Sequence, residues 1–160
     1  MKKMWMIGLT MALLLIVSAC SSNENLGFSF DPDGENVVTL ALSEDDYDTE
    51  ITYEADGDII KKQTTRSEAS YDQYGVQSKA SAEVAFNEIV EQYQSIDGID
   101  FDIEFFDEKV EQSLTIDFEN IDADDLKEVP GVNIDGNLKK GVSLKATVEV
   151  LQEQGYQIVD

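Results

Sequence analysis

The sequence predicts an α+β domain in which an antiparallel sheet carries helices on one face. Three observations predict it. Ile99, Phe101, Ile103 and Phe105 alternate with Asp100, Asp102 and Glu104. After Asp107-Glu108 the alternation returns. Val110, Leu114, Ile116 and Phe118 take one parity, and Glu111, Ser113, Thr115, Asp117 and Glu119 the other. That is the pattern of a hairpin with one buried and one wet face. Between Ser78 and Gln94, Ala82, Phe86, Ile89, Tyr93 and Ile96 recur at steps of four and three, forming the single apolar stripe of a helix. Asp56-Gly57 separates two β-rich runs, a hairpin signal.

The remaining elements follow in order. Residues 21–36, SSNENLGFSFDPDGEN, have the composition of a tether. Leu26, Phe28 and Phe30 alternate inside it and read as an extra edge strand or a patch that packs on the domain, rather than as an exposed aromatic contact near the membrane. Val37–Ser43, Thr49–Glu54 and Ile59–Arg66 read as three short antiparallel strands, followed by a loop from Ser67 to Gln77. Ser78 caps the long helix, and Asp97-Gly98 ends it. This helix is expected to pack over Ile99, Phe101, Ile103, Leu114 and Ile116. Gln112 interrupts the apolar parity of the second hairpin with no local reason. Asp122–Lys127 reads as a helical turn stopped by Pro130-Gly131. Ser143–Gln154 has two readings. Val142, Leu144, Ala146, Val148 and Val150 alternate as in a strand, whereas Leu144, Val148 and Leu151 fit a helix capped by Ser143. Tyr156–Val159 closes as a short strand.

The N-terminus carries Lys2 and Lys3, the apolar run Met4–Val17, and then Ser18-Ala19-Cys20. Charged, apolar and small residues in that order are the plan of an export signal. The run is shorter than the roughly 20 residues of a spanning helix and approaches the lower limit of roughly 17 when counted on to Cys20, so an uncleaved membrane helix is a poorer alternative, as is plain secretion. Val17-Ser18-Ala19-Cys20 resembles the bacterial lipobox, in which branched apolar and small residues precede a cysteine. The resemblance implies that the Cys20 sulfur receives a diacylglyceryl group. The chain is then cut between Ala19 and Cys20, and the new N-terminus holds the membrane through fatty acyl chains such as palmitate. Two or more chains anchor stably where one does not. The expected organisation is a signal peptide at 1–19, a lipidated N-terminus and flexible tether at 20–36, and one domain at 37–160. The location is the cell membrane, facing outside the cytoplasm.

Composition narrows the function. Cleavage before Cys20 removes 19 of the 160 residues and leaves 141, one domain with room for a core. The chain has 11 basic and 34 acidic residues, a net charge of −23 that becomes −25 once Lys2 and Lys3 are removed. Nucleic acid needs a basic face and is excluded as a partner. Anionic headgroups are disfavoured, whereas cations and basic peptides fit. The chain has no histidine, and its single cysteine is the acylated one. Ser-His-Asp and Cys-His nucleophiles are therefore absent, as are zinc and iron–sulfur ligand sets. No phosphate-binding glycine loop occurs. No cofactor, no metal and no catalytic residues are expected, and the chain reads as a monomeric, non-enzymatic binding or accessory module for an unknown protein or small ligand. The alternatives are a weak divalent-cation-binding or envelope structural protein and, further off, a carboxylate-based enzyme.

In sequence the chain resembles the YehR-like bacterial lipoproteins from about Val37 to Asp160. The resemblance is carried by KKQTT (61–65), the Tyr71–Gly75 stretch, the helix after Ser78, IDGIDFDIEF (96–105) and the hairpin into SLTIDF (113–118). It continues through DDLKEVPGV (124–132) and VSLKATVEVLQEQGY (142–156). It implies a two-layer α+β sandwich with 143–154 helical. It brings no activity, substrate or catalytic residue. The chain departs from its relatives in charge, since similar proteins are richer in lysine.

Four candidate sites stand against plainer readings. On the wet face of the second hairpin, a two-residue turn at Asp107-Glu108 sets Glu104 opposite Glu111, Asp102 opposite Ser113 and Asp100 opposite Thr115. Calcium would relieve the repulsion there. The plainer reading, which is favoured, is a solvated face partly neutralised by Lys61, Lys62 or Arg66. Asp31–Glu35 is similar to a calcium loop but has Asn36 where the glycine belongs and Leu42 where the closing glutamate belongs. Asp122, Asp124 and Asp125 lack both and suit the start of a short helix. Tyr71 and Tyr74 are better suited to packing than to lining a cleft.

Overall fold

The computed structural model describes residues 14–17, 27–126, 132–135 and 141–159. Its main sheet is built from β2 (Glu35–Glu44), β3 (Tyr47–Asp56), β4 (Ile59–Ser70), β5 (Ile99–Phe105), β6 (Lys109–Asp117) and β8 (Gln157–Val159). The spatial order is β5-β6-β4-β3-β2-β8, and every pairing is antiparallel. Two short strands, β1 (Leu14–Val17) and β7 (Val132–Asp135), pair in parallel with each other. The helices are α1 (Lys79–Gln94), α2 (Ala123–Leu126) and α3 (Leu144–Glu153). The class is α+β, as the sequence predicts.

The first three strands of the main sheet are longer than their apolar runs. β2 starts at Glu35, and β2 and β3 meet at a tight turn, Asp45-Asp46, that pairs Glu44 with Tyr47. Ser67–Ser70 was expected in a loop but continues β4. There it pairs with Tyr47–Thr49 on one side and Lys109–Gln112 on the other. Two flanking strands supply ladder partners whatever the local propensity, so pairing overrides the polar composition. The loop from Ser67 shrinks to a 3₁₀ turn, Tyr71–Tyr74, closed by Gly75 in the left-handed region. Gly57 is required at the β3–β4 turn. Its φ is +54°, and a Cβ there would stand 2.6 Å from the Pro32 carbonyl oxygen.

Core residues come from one parity of the sheet and from the helices. Val38, Leu40, Ile51, Tyr53, Ile60, Phe101, Leu114 and Ile116 pack with Tyr93 of α1 and with Leu144, Val148 and Leu151 of α3. Tyr93 stacks on Phe101 with ring centroids 4.7 Å apart. A second cluster gathers Tyr71, Tyr74, Val76, Ala82, Phe86 and Val110 around the start of α1. Phe28 and Phe30 pack against the main core as a patch and not as an edge strand, Leu26 lying outside the described residues, and the Lys145 ammonium lies 4.8 Å from the Phe30 ring centre.

Both longer helices start on serines. Ser78 Oγ accepts from the Ser81 amide, and Ser143 Oγ accepts from the Ala146 amide. The helical reading of 143–154 holds, and the structure adds a partner that no local pattern reveals. Asp58, in the β3–β4 turn, accepts from the Lys145 amide at 2.8 Å and from Ser143 Oγ at 2.7 Å. A carboxylate 85 positions upstream of Ser143 thus holds the positive end of α3 against the sheet. Asp58→Ala is expected to lower stability by about 1–2 kcal/mol. In denaturant titration this appears as a lower midpoint at unchanged slope.

Candidate functional site

Residues of the other parity point away from this core, and strand register sets them in rows. Thr39, Thr52, Thr64 and Thr115 lie side by side on four neighbouring strands, with Asp100 beyond them. The next row is Ala41, Glu50, Arg66, Ser113 and Asp102. The row after that is Ser43, Asp48, Glu68, Glu111 and Glu104. These last two rows line an open trough of about 720 Å³, together with Leu42, Thr49, Ser67, Ile103 and Gln112. A notch of about 500 Å³ adjoins it at Asp48 and Glu68, bounded by Asp45, Asp46, Phe106, Asp107 and Lys109. Phe106 is 39% exposed, an aromatic at the rim of an otherwise polar surface.

Charge on this face is only partly balanced. Lys109 reaches Glu68 at 2.7 Å and Glu111 at 2.8 Å. The Glu111 and Glu68 carboxylates raise the Lys109 pKa, and Lys109 in turn holds Glu111 below the usual carboxylate range. Ser43 donates to Asp48. Lys62 pairs with Glu54 and Lys61 with Glu119, outside the trough. Of the three cations expected to neutralise the wet hairpin face, Lys61 pairs with Glu119 and Lys62 lies opposite Asp117 and helps to hold its carboxyl low, while Arg66 lines the trough; Lys109 adds a contact to Glu111 that was not expected.

The hairpin register is as the sequence predicts: Glu104 faces Glu111, Asp102 faces Ser113 and Asp100 faces Thr115. Among the described residues no cluster of three or more acidic groups has the geometry to hold a metal ion. Asn36, in place of a calcium-loop glycine, is buried and donates to the carbonyls of Asp31, Gly34 and Gly57, so its side chain fastens this loop to itself and to the β3–β4 turn. Asp122 accepts from the Asp124 amide at the start of α2, the helix-start role expected of it. Tyr71 and Tyr74 are buried in the second core cluster. Gln112 now has its reason. Its Nε2 donates to the Tyr74 hydroxyl at 2.9 Å, satisfying a buried phenol from across the core. Ala19 and Cys20 lie outside the described residues, as do Pro130 and Gly131. No described helix is long and apolar enough to cross a membrane.

Fold and site together define a small acidic α+β domain with a ligand-sized trough across five strands. The chain belongs to the family described as protein of unknown function DUF1307, whose model matches residues 36–157. It is 34% identical over 128 residues to the uncharacterized lipoprotein Lin0239 of Listeria innocua, spanning 80% of this chain and 84% of that protein. It is 35% identical over 127 residues to the uncharacterized lipoprotein Lmo0207 of Listeria monocytogenes, spanning 79% and 83%. The uncharacterized lipoprotein YehR of Escherichia coli is 26% identical over 110 residues, 68% of this chain and 72% of that one. The NMR structure of YehR superposes with a TM-score of 0.66 at 23% identity, covering 79% of this chain and 92% of that chain. Its likeness concerns the fold alone.

Proposed function

We propose that this protein is a lipid-anchored, extracytoplasmic, non-catalytic binding module that works as a monomer. In this reading residues 1–19 are removed, Cys20 carries the lipid, and the tether gives way to packed structure by Phe28. The sheet and its helices form two layers, so that the wet face of the sheet is the working surface. The lipoprotein relatives and the Val17–Cys20 motif support the location.

The observation that carries the binding role is the trough. Its volume of about 720 Å³ falls within the roughly 300–1,000 Å³ of small-ligand sites. Six acids against one arginine line it, so its charge favours cationic groups. A catalytic role would need a carboxyl raised to act as general acid. The trough's Glu111 is shifted the other way, by Lys109.

A photo-reactive side chain placed at Ser113, in the middle of the trough, is expected to capture a discrete partner or ligand in cells. The same group at Val84, which is 78% exposed on α1, is expected to capture only background. Equal capture at both positions, or none at Ser113, would remove the trough as the working surface.

A further inference from the structure

The trough holds one group that an acid-lined, cation-selecting surface does not need. Arg66 is the single arginine in the chain. It is exposed, lines the trough near its centre, and pairs in register with Glu50 on one side and Ser113 on the other. It nevertheless makes no ion pair or hydrogen bond among the described residues. An exposed arginine–glutamate pair is worth at most about 1 kcal/mol, so nothing on this face holds the guanidinium back from a better partner. Its planar fork suits a carboxylate or a phosphate. A phosphate dianion would be set among Glu50, Glu68, Asp102 and Glu111, and that repulsion disfavours it. A carboxylate on a molecule that also carries ammonium groups satisfies both signs at once.

Spacing gives the length. Neighbouring strands stand about 4.8 Å apart, so β5 lies about 10 Å from β4 across β6. An extended chain of three residues spans about 10 Å. With its carboxylate on Arg66, such a chain sets its amine beside Asp102 and Glu104. Neither of those acids has an ion-pair partner among the described residues.

Building on the trough as binding surface, we infer that its ligand is a short zwitterionic amino-carboxylate chain of the peptide class. Arg66 clamps the free carboxylate, while Glu50, Asp102 and Glu104 hold the ammonium groups.

The test uses the full-length protein in detergent micelles and two probes, the tripeptide Lys-Ala-Lys and its C-terminal amide. NMR amide shifts locate binding, and titration gives affinity. The free acid is expected to shift amides of β4, β5 and β6 and to bind at least about tenfold more tightly than the amide. Arg66→Gln is expected to abolish that preference, and Arg66→Lys to retain part of it. The far-ultraviolet circular dichroism of both variants should match the parent, since the side chain is exposed. Equal affinity of acid and amide, with shifts still in the trough, overturns the carboxylate clamp and leaves the trough standing as a binding surface. Absence of binding by both peptides also overturns the inference, while capture at Ser113 decides the binding surface independently.

Discussion

Between pH 10 and 12 this protein is expected to unfold in one cooperative step, and its tyrosines to ionise with that step rather than before it. All six of its tyrosines have raised pKa values. Burial drives each shift. It pushes Tyr74 and Tyr156 up to about 12, and Tyr53 and Tyr93 further. An unfolded tyrosine ionises near pH 10. The folded chain holds the phenols neutral, so stability is intact below pH 10 and falls as pH climbs towards the folded values. Each unit above 10 costs about 1.4 kcal/mol per fully buried phenol. Tyr53 and Tyr93 together therefore remove on the order of 3 kcal/mol in the first unit, and the other buried tyrosines add smaller amounts. Total stability of a small domain is about 5–15 kcal/mol, which places collapse within the next unit. Tyrosinate absorbance should rise at the same pH at which circular dichroism is lost. A broad absorbance rise centred at pH 10, with the fold intact, would show that the phenols are solvated.

Cys20→Ala is expected to abolish anchoring. The thiol is the one nucleophile in the chain able to form the thioether, so the effect is all or none rather than graded. Without the lipid the signal stays attached, and the protein accumulates as precursor or appears in the medium. Fractionation with mass measurement reads this directly. A mature-sized product retained in the membrane at parental level would overturn the lipobox assignment.

The sequence by itself determined the location motif and the identity of most elements. Alternation over 99–118 was enough to set the second hairpin's register, because a two-residue turn leaves a single way to pair the arms. The stripe from Ala82 to Tyr93 determined α1 and its buried face. Parity also told which side chains of each strand are wet. Beyond these hairpins, tertiary structure alone decided which strands are neighbours. β4 pairs with β6 rather than β5, and that choice brings Arg66 beside Ser113 and completes the trough from segments between Ala41 and Ser113. The same non-locality hid the roles of Gln112 and Asp58. Their partners, Tyr74 and the start of α3, lie 38 and about 85 positions away. Local periodicity reports the environment of a residue one turn or one pleat away. A hydrogen bond between distant segments leaves no periodic trace, only an unexplained polar residue such as Gln112 where an apolar one belongs.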